Sequence, residues 1–179
     1  MQRRPQQILD EWLVACSQAG DAKAFQRLLQ RWQPRLIAYA QRQLGDREGA
    51  ADVAQDTMLA IASNLKKLKD PAAFPKWAYQ ILHRNGCNWV GRQQRQRRDD
   101  AVLMQVEEPA TLCEEDSLLR AALYALDSEH YHAIRLFYLE GFTLNEIAQI
   151  TDIPLGTAKS RLFNARQKLK EFIEGDGNE

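Results

Sequence analysis

The sequence has few of the residues that build covalent or metal-held scaffolds. Only three cysteines occur, Cys16, Cys87 and Cys113, widely spaced and with no CxxC pair. Such a set makes no disulfide framework and fits a reducing compartment. Histidine is equally sparse, at three residues. His83 and Cys87 stand four apart, which is ligand spacing on a helix, but no third ligand lies nearby and the neighbours are basic. His130 and His132, two apart, point to different helix faces. No metal and no cofactor is therefore expected. No apolar run is long enough to span a bilayer. The basic start, Met1-Gln2-Arg3-Arg4-Pro5, leads into Asp10, Glu11 and Trp12 without the apolar core and cleavage site of a signal peptide. A cytoplasmic location is expected. Neither charge sign is in excess, with 24 Lys plus Arg against 24 Asp plus Glu. Net charge thus says nothing about nucleic acid, although the distribution of charge does. A glycine-rich phosphate loop, a G-x-S-x-G elbow and a paired-His motif are all missing, so no enzyme is expected. Alternating strand patterns and fixed-period repeats are missing too.

What is present is helical periodicity. The chain of 179 residues, 45% hydrophobic and 27% charged, suits one ordinary globular domain or two small ones. Ile8, Leu9, Trp12, Leu13 and Cys16 form a first apolar stripe. Gly20-Asp21 reads as a stop and an N-cap. Residues 25–44 carry a second stripe, and Pro34 within it predicts a kink or break near Gln33. Gly45-Asp46 is the next stop and cap, followed by Val53, Ala54, Thr57, Met58 and Ile61. Asp70-Pro71 opens a fourth helix with Phe74, Trp77, Ala78, Ile81 and Leu82, running through Trp89 into an arginine cluster. Residues 99–116 then contain seven acids and no Lys or Arg. Beyond them Leu118, Leu119, Ala122, Leu123 and Leu126 form one stripe, and Ala133, Ile134, Phe137 and Tyr138 another. The expected fold is all-α: two small helical domains, residues 1–98 and 113–179, joined by a flexible acidic linker at 99–112.

Three segments carry chemistry. In residues 143–165, Thr143 and Glu146 make a capping box, Thr151-Asp152-Ile153 a turn, and Pro154 opens a helix that reaches Ile173: a helix-turn-helix. The second helix presents Thr157, Lys159, Ser160, Arg161, Asn164, Arg166, Lys168 and Lys170 with no acid before Glu171. Its amides and hydroxyls suit phosphates, and its Arg, Lys and Asn suit base edges. The competing reading, a solvated basic face, does not explain the turn. The second segment holds Lys76, Arg84, Arg92, Arg95, Arg97 and Arg98 with no acid between Asp70 and Asp99, and with Trp77, Tyr79 and Trp89 interleaved. Cations attract phosphates and aromatics stack on unpaired bases. Trp77 shares a face with Phe74 and Ile81, so a core role competes for it. The third is a polar-acidic stripe of Asp52, Gln55 and Asp56 beside Thr57, Met58 and Ile61, able to dock on a partner helix or to be plain surface.

Together these segments resemble the extracytoplasmic-function (ECF) group of the sigma-70 family, over residues 20–169. Asp52-Val53-Ala54-Gln55-Asp56-Thr57-Met58 resembles the polymerase-binding helix of region two. Phe74-Pro75-Lys76-Trp77-Ala78 through Asn88 and the arginines resembles the helix that melts and reads the minus-ten element. Leu139-Glu140-Gly141-Phe142-Thr143-Leu144-Asn145-Glu146-Ile147-Ala148 and Pro154-Leu155-Gly156-Thr157-Ala158-Lys159-Ser160-Arg161-Leu162 resemble region four. The chain departs from the family pattern at Arg84, Asn164 and Tyr131, where Asn, Arg and Arg are usual.

The resemblance implies an alternative sigma factor. Its partners would be core RNA polymerase, through the beta-prime clamp helices and the beta flap, promoter DNA including the non-template single strand, and an anti-sigma factor. Asp52, Gln55, Asp56, Met58 and Ile61 would meet polymerase. Lys76, Trp77, Arg84, Asn88, Arg92 and Arg95 would meet the minus-ten element. Thr157, Lys159, Ser160, Arg161, Asn164 and Arg166 would meet the minus-thirty-five element. Two rivals are a metal-dependent nuclease built on Asp52 and Asp56, which lacks a carboxylate cluster, and a helix-turn-helix regulator that binds its operator without polymerase.

Overall fold

The computed structural model describes residues 5–99 and 117–175, which are helical throughout apart from turns. They divide into two units, one from each segment, with the boundary at Val106 and Glu107. Most of the acidic linker, and Cys113, lie outside the described residues.

In the first unit, α1 spans Pro5–Gln18, α2 Ala22–Leu44, α3 Arg47–Asn64 and α4 Phe74–Asp99. The ends fall where local chemistry puts them. Asp21 accepts from the amides of Lys23 and Ala24 and so caps α2. Gly45, at φ 65°, closes it in the left-handed region that glycine adopts without strain. Asp46 caps α3, and Asp70 caps a 3-10 turn at Pro71–Ala73 that leads into α4. The core is aromatic at its centre. Trp32 sets its edge on Phe74 at 5.0 Å, and Tyr79 lies between Trp32 and Tyr39, at 5.7 and 5.3 Å. These contacts run α4 alongside α2 in the same direction. The later half of α4 lies on α3: Asn85 donates to Thr57 Oγ1 at 3.1 Å, and Gly49 is packed so closely under the Trp89 ring that a Cβ there would collide with it.

Two expectations for this unit are corrected. α2 runs unbroken through Pro34. The carbonyl that Pro34 leaves without an amide belongs to Gln30, and both residues are exposed, so water can satisfy it. On α1 the buried face is Asp10, Leu13, Val14 and Ser17, whereas Ile8, Leu9 and Trp12 are exposed. The apolar stripe was misplaced because Asp10 is buried, held by Arg31 at 3.0 Å and Arg35 at 3.8 Å.

The second unit has α5 at Ser117–Ala125, α6 at Ser128–Ile134, α7 at Leu144–Thr151 and α8 at Leu155–Gly175. Leu126, Ala133, Ile134, Leu162 and Ala165 form its core, with Leu123, Phe137, Leu144 and Leu169 packed on it. Between α6 and α7 the chain takes one π turn, Arg135–Leu139, with the Glu140 amide bonded to the Arg135 carbonyl at 3.1 Å. The periodicity had put Tyr138 on the buried stripe. In the structure it lies on the π turn and is 49% exposed. Leu119, also expected inside, is exposed.

Candidate nucleic-acid interface

The helix-turn-helix is built from local chemistry. Thr143 Oγ1 accepts from the Glu146 amide at 3.3 Å while Glu146 accepts from the Thr143 amide at 2.8 Å, completing the capping box. Asp152 ends α7 in the left-handed region, at φ 52°, and α8 starts three residues later. Ile147 and Ile150 of α7, and Ala158 and Leu162 of α8, are all buried, and the two helices pack together. These small and branched side chains let the two helices cross closely and leave the rest of α8 facing out.

On that outer face the cations fall on two edges. Residues seven apart on a helix differ by about 20° in direction. Arg161 and Lys168 therefore share one edge, and Lys159 and Arg166 the other. The first edge is tied to α6. Arg161 meets Glu129 at 2.8 Å, and Lys168 meets Asp127 at 2.8 Å. Asp127 also accepts from the His130 amide at 3.1 Å, and its carboxylate lies 2.6 Å from His130 Nδ1. Burial pushes the Asp127 carboxyl up, but hydrogen bonds from Lys168 and His130 outweigh it and hold the group well below the usual carboxylate range. The second edge is different. Neither Lys159 nor Arg166 meets a carboxylate among the described residues. Arg166 instead lies over the rings of Phe137 and Tyr138, at 5.5 and 5.4 Å. Between the edges stand Ser160, Asn164 and Phe163, which is 60% exposed. Phe163 is not among the residues that the sequence singled out on this helix. Its position one step after buried Leu162 is the signal that it faces out.

On α4, Trp77, Arg84, Asn88, Arg92 and Arg95 follow at spacings of seven, four, four and three, so they share one face along the helix. Arg84, Asn88, Arg92 and Arg95 are exposed. Lys76 lies one residue off this line. Trp77 is half-buried, tilted on Phe74 at 6.2 Å, so part of its ring belongs to the core and part faces outward. Cys87 and His83 stay within 3.6 Å of each other, and His83 also meets the Tyr39 hydroxyl at 3.2 Å. Burial pushes the Cys87 thiol up, against a hydrogen bond from Gln43. Among the described residues no group of three or more His, Cys, Asp or Glu could hold a metal ion, and no helix is long and apolar enough to cross a membrane.

On α3, Asp52, Gln55 and Asp56 are exposed and Met58 is half-buried. Ile61 is corrected: at 0% exposure it is a core residue and can touch no partner. Leu59 is instead the exposed aliphatic residue of this helix, at 58%. Leu59 stands at i+7, i+4 and i+3 from Asp52, Gln55 and Asp56, which makes it the apolar centre of that acidic face.

Residues 28–96 match the family described as Sigma-70 region 2, and residues 122–171 match Sigma-70, region 4. The chain is similar to the ECF RNA polymerase sigma-E factor of Haemophilus influenzae, at 28% identity over 94% of this chain and 97% of that protein. The protein of the same name from Escherichia coli K12 is also 28% identical, over 94% and 96%. Among solved structures, the sigma factor RpoE of Bartonella quintana, in complex with the anti-sigma factor NepR, superposes with a TM-score of 0.69 at 26% identity, covering 86% of this chain and 98% of that one. CnrH in complex with the cytosolic domain of CnrY shares the fold, with a TM-score of 0.59 at 23% identity over 94% and 99%.

Proposed function

The chain belongs to the sigma-70 family of RNA polymerase sigma factors, in its ECF group, and from this premise we propose which of its faces do a sigma factor's work. Residues 1–98 dock on core polymerase and open the promoter. Residues 113–179 read the upstream element, and residues 99–112 join the two. Asp52, Gln55, Asp56 and Met58, with Leu59 at their centre, meet the beta-prime clamp helices, and the second unit meets the beta flap. Exposed apolar area ringed by carboxylates suits a partner helix with cations.

Opening DNA needs no covalent chemistry, so the chain acts as no enzyme. Binding must favour exposed bases of the non-template strand over duplex, so that it offsets lost stacking of roughly a few kcal/mol per step. The α4 face suits this, with Arg84, Arg92 and Arg95 on phosphates, Asn88 on base edges and Trp77 as a stacking surface beside Lys76. α8 lies in the major groove of the upstream element. Thr157, Ser160 and Asn164 hydrogen-bond there, Lys159 and Arg166 meet phosphates, and Phe163 can touch a thymine methyl. Arg161 orients the helix through Glu129. A structural relative is held by an anti-sigma factor, and we assign this chain a partner of that kind and a cytoplasmic place of action.

The observation that carries this reading is the coexistence, in one chain, of an exposed acidic-apolar face on α3 and an exposed basic face on α8. A regulator acting without polymerase needs only the second. Run-off transcription with purified core polymerase on a promoter library tests it. The expected result is transcription from a defined promoter class that Asp56→Lys abolishes while leaving the fold intact by circular dichroism. Operator binding without any core-dependent transcription would support the regulator instead.

A further inference from the structure

The cations of α8 are not equivalent, and what holds each one differs. Arg161 and Lys168 are joined to carboxylates of α6, and Lys170 meets Glu174 at 3.6 Å. Their charge is largely balanced within the unit. Arg166 is held without a carboxylate. The rings of Phe137 and Tyr138 meet edge to face at 5.1 Å, and the guanidinium lies over both. A ring face attracts a cation through its quadrupole and adds no countercharge. A carboxylate in the same place would also orient Arg166, but it would repel the phosphate that the arginine is to meet.

Both rings come from one stretch of backbone. The π turn Arg135–Leu139 carries Tyr138, exposed beside Arg166, and Phe137, which packs on the core. Such single π turns occur often at functional sites. Tyr138 is half exposed and ranks among the large side chains that the core does not need.

We propose that Phe137 and Tyr138, neighbours on the π turn, are positioning residues for DNA binding that hold Arg166 on the open edge of α8 with its charge free for a promoter phosphate. The proposal rests on the reading of α8 as the DNA-reading helix. It makes the open edge, Lys159 and Arg166, the source of the salt-dependent attraction, and the opposite edge a tie to α6.

The test uses the full chain assembled with core polymerase. Its binding to a duplex bearing the upstream element recovered from the library is followed by fluorescence anisotropy across a salt series. Arg166→Ala should weaken binding about tenfold and reduce the slope of log K against log salt by about 0.9. Tyr138→Leu keeps the arginine but loses half the platform. It should weaken binding about threefold with the slope retained, and Tyr138→Phe, which keeps the ring, should bind as the parent does. In the Arg166→Ala background Tyr138→Leu should have no further effect, a coupling that a merely structural role would not produce. Parent-like binding by Tyr138→Leu, or an equal loss in both backgrounds, would overturn the proposal while leaving α8 as the reader. Unchanged affinity and slope in both Lys159→Ala and Arg166→Ala would remove the premise, and the proposal with it.

Discussion

At the scale of single residues, the buried acid Asp10 shows how partners decide a residue's role. Its carboxylate is nearly inaccessible, and Arg31 and Arg35 approach it from α2 with about a third of their own surface in water. A buried carboxylate persists only when such partners replace its hydration. Removing it leaves two guanidiniums that can still hydrate, so the cost is below that of a fully buried pair. Asp10→Ala is expected to lower stability by about 2 kcal/mol, read as a shift of the urea midpoint with the slope unchanged. A midpoint equal to the parent's would mean that the pair contributes nothing net. The same scale separates Ile61 from Leu59. Both are aliphatic and both lie on α3, yet only Leu59 can reach a partner.

At the scale of elements, the tie between α6 and α8 fixes the direction in which the basic helix faces. Asp127 caps α6 and also receives Lys168 and His130. Its carboxyl is held below its ordinary value in the folded state, so the unfolded chain binds its proton first as pH falls. The stabilisation is therefore present above the unfolded value of about 4 and is lost as pH drops through the folded one. The side chain is half exposed, so solvent screens the gain to about 1 kcal/mol or less. Asp127→Asn should lower the melting temperature of the second unit by a few degrees at pH 7, and calorimetry should show the gap closing below about pH 4. A gap that is constant from pH 7 to pH 2 would assign the effect to the cap geometry alone.

At the scale of the whole molecule, each unit buries its own core. Leu36 lies within the first and Leu162 within the second. A large-to-small change in either leaves a cavity that costs about 2–5 kcal/mol. Leu36→Ala should lower one thermal transition and Leu162→Ala the other, measured in the full chain by calorimetry. Both substitutions moving a single common transition would show that the units unfold as one.

What the sequence determined was set by contacts close along the chain. Gly20-Asp21, Gly45-Asp46, Asp70-Pro71 and the Thr143–Glu146 box place helix ends through hydrogen bonds a few residues long, so they could be read in order. The single face of Trp77, Arg84, Asn88, Arg92 and Arg95, and the basic run of α8, follow from helical period alone. The regions of the family follow from the order of those motifs. Tertiary structure decided which side of each helix is inside and which charges are spent there. Asp10 turned α1 away from its apolar stripe because Arg31 and Arg35 lie across from it. Arg161 and Lys168 became ties because Glu129 and Asp127 face them from α6. Arg166 lies over an aromatic pair on the π turn and meets no carboxylate among the described residues. These pairings join residues distant in sequence, and their energy depends on burial and geometry that no local pattern encodes.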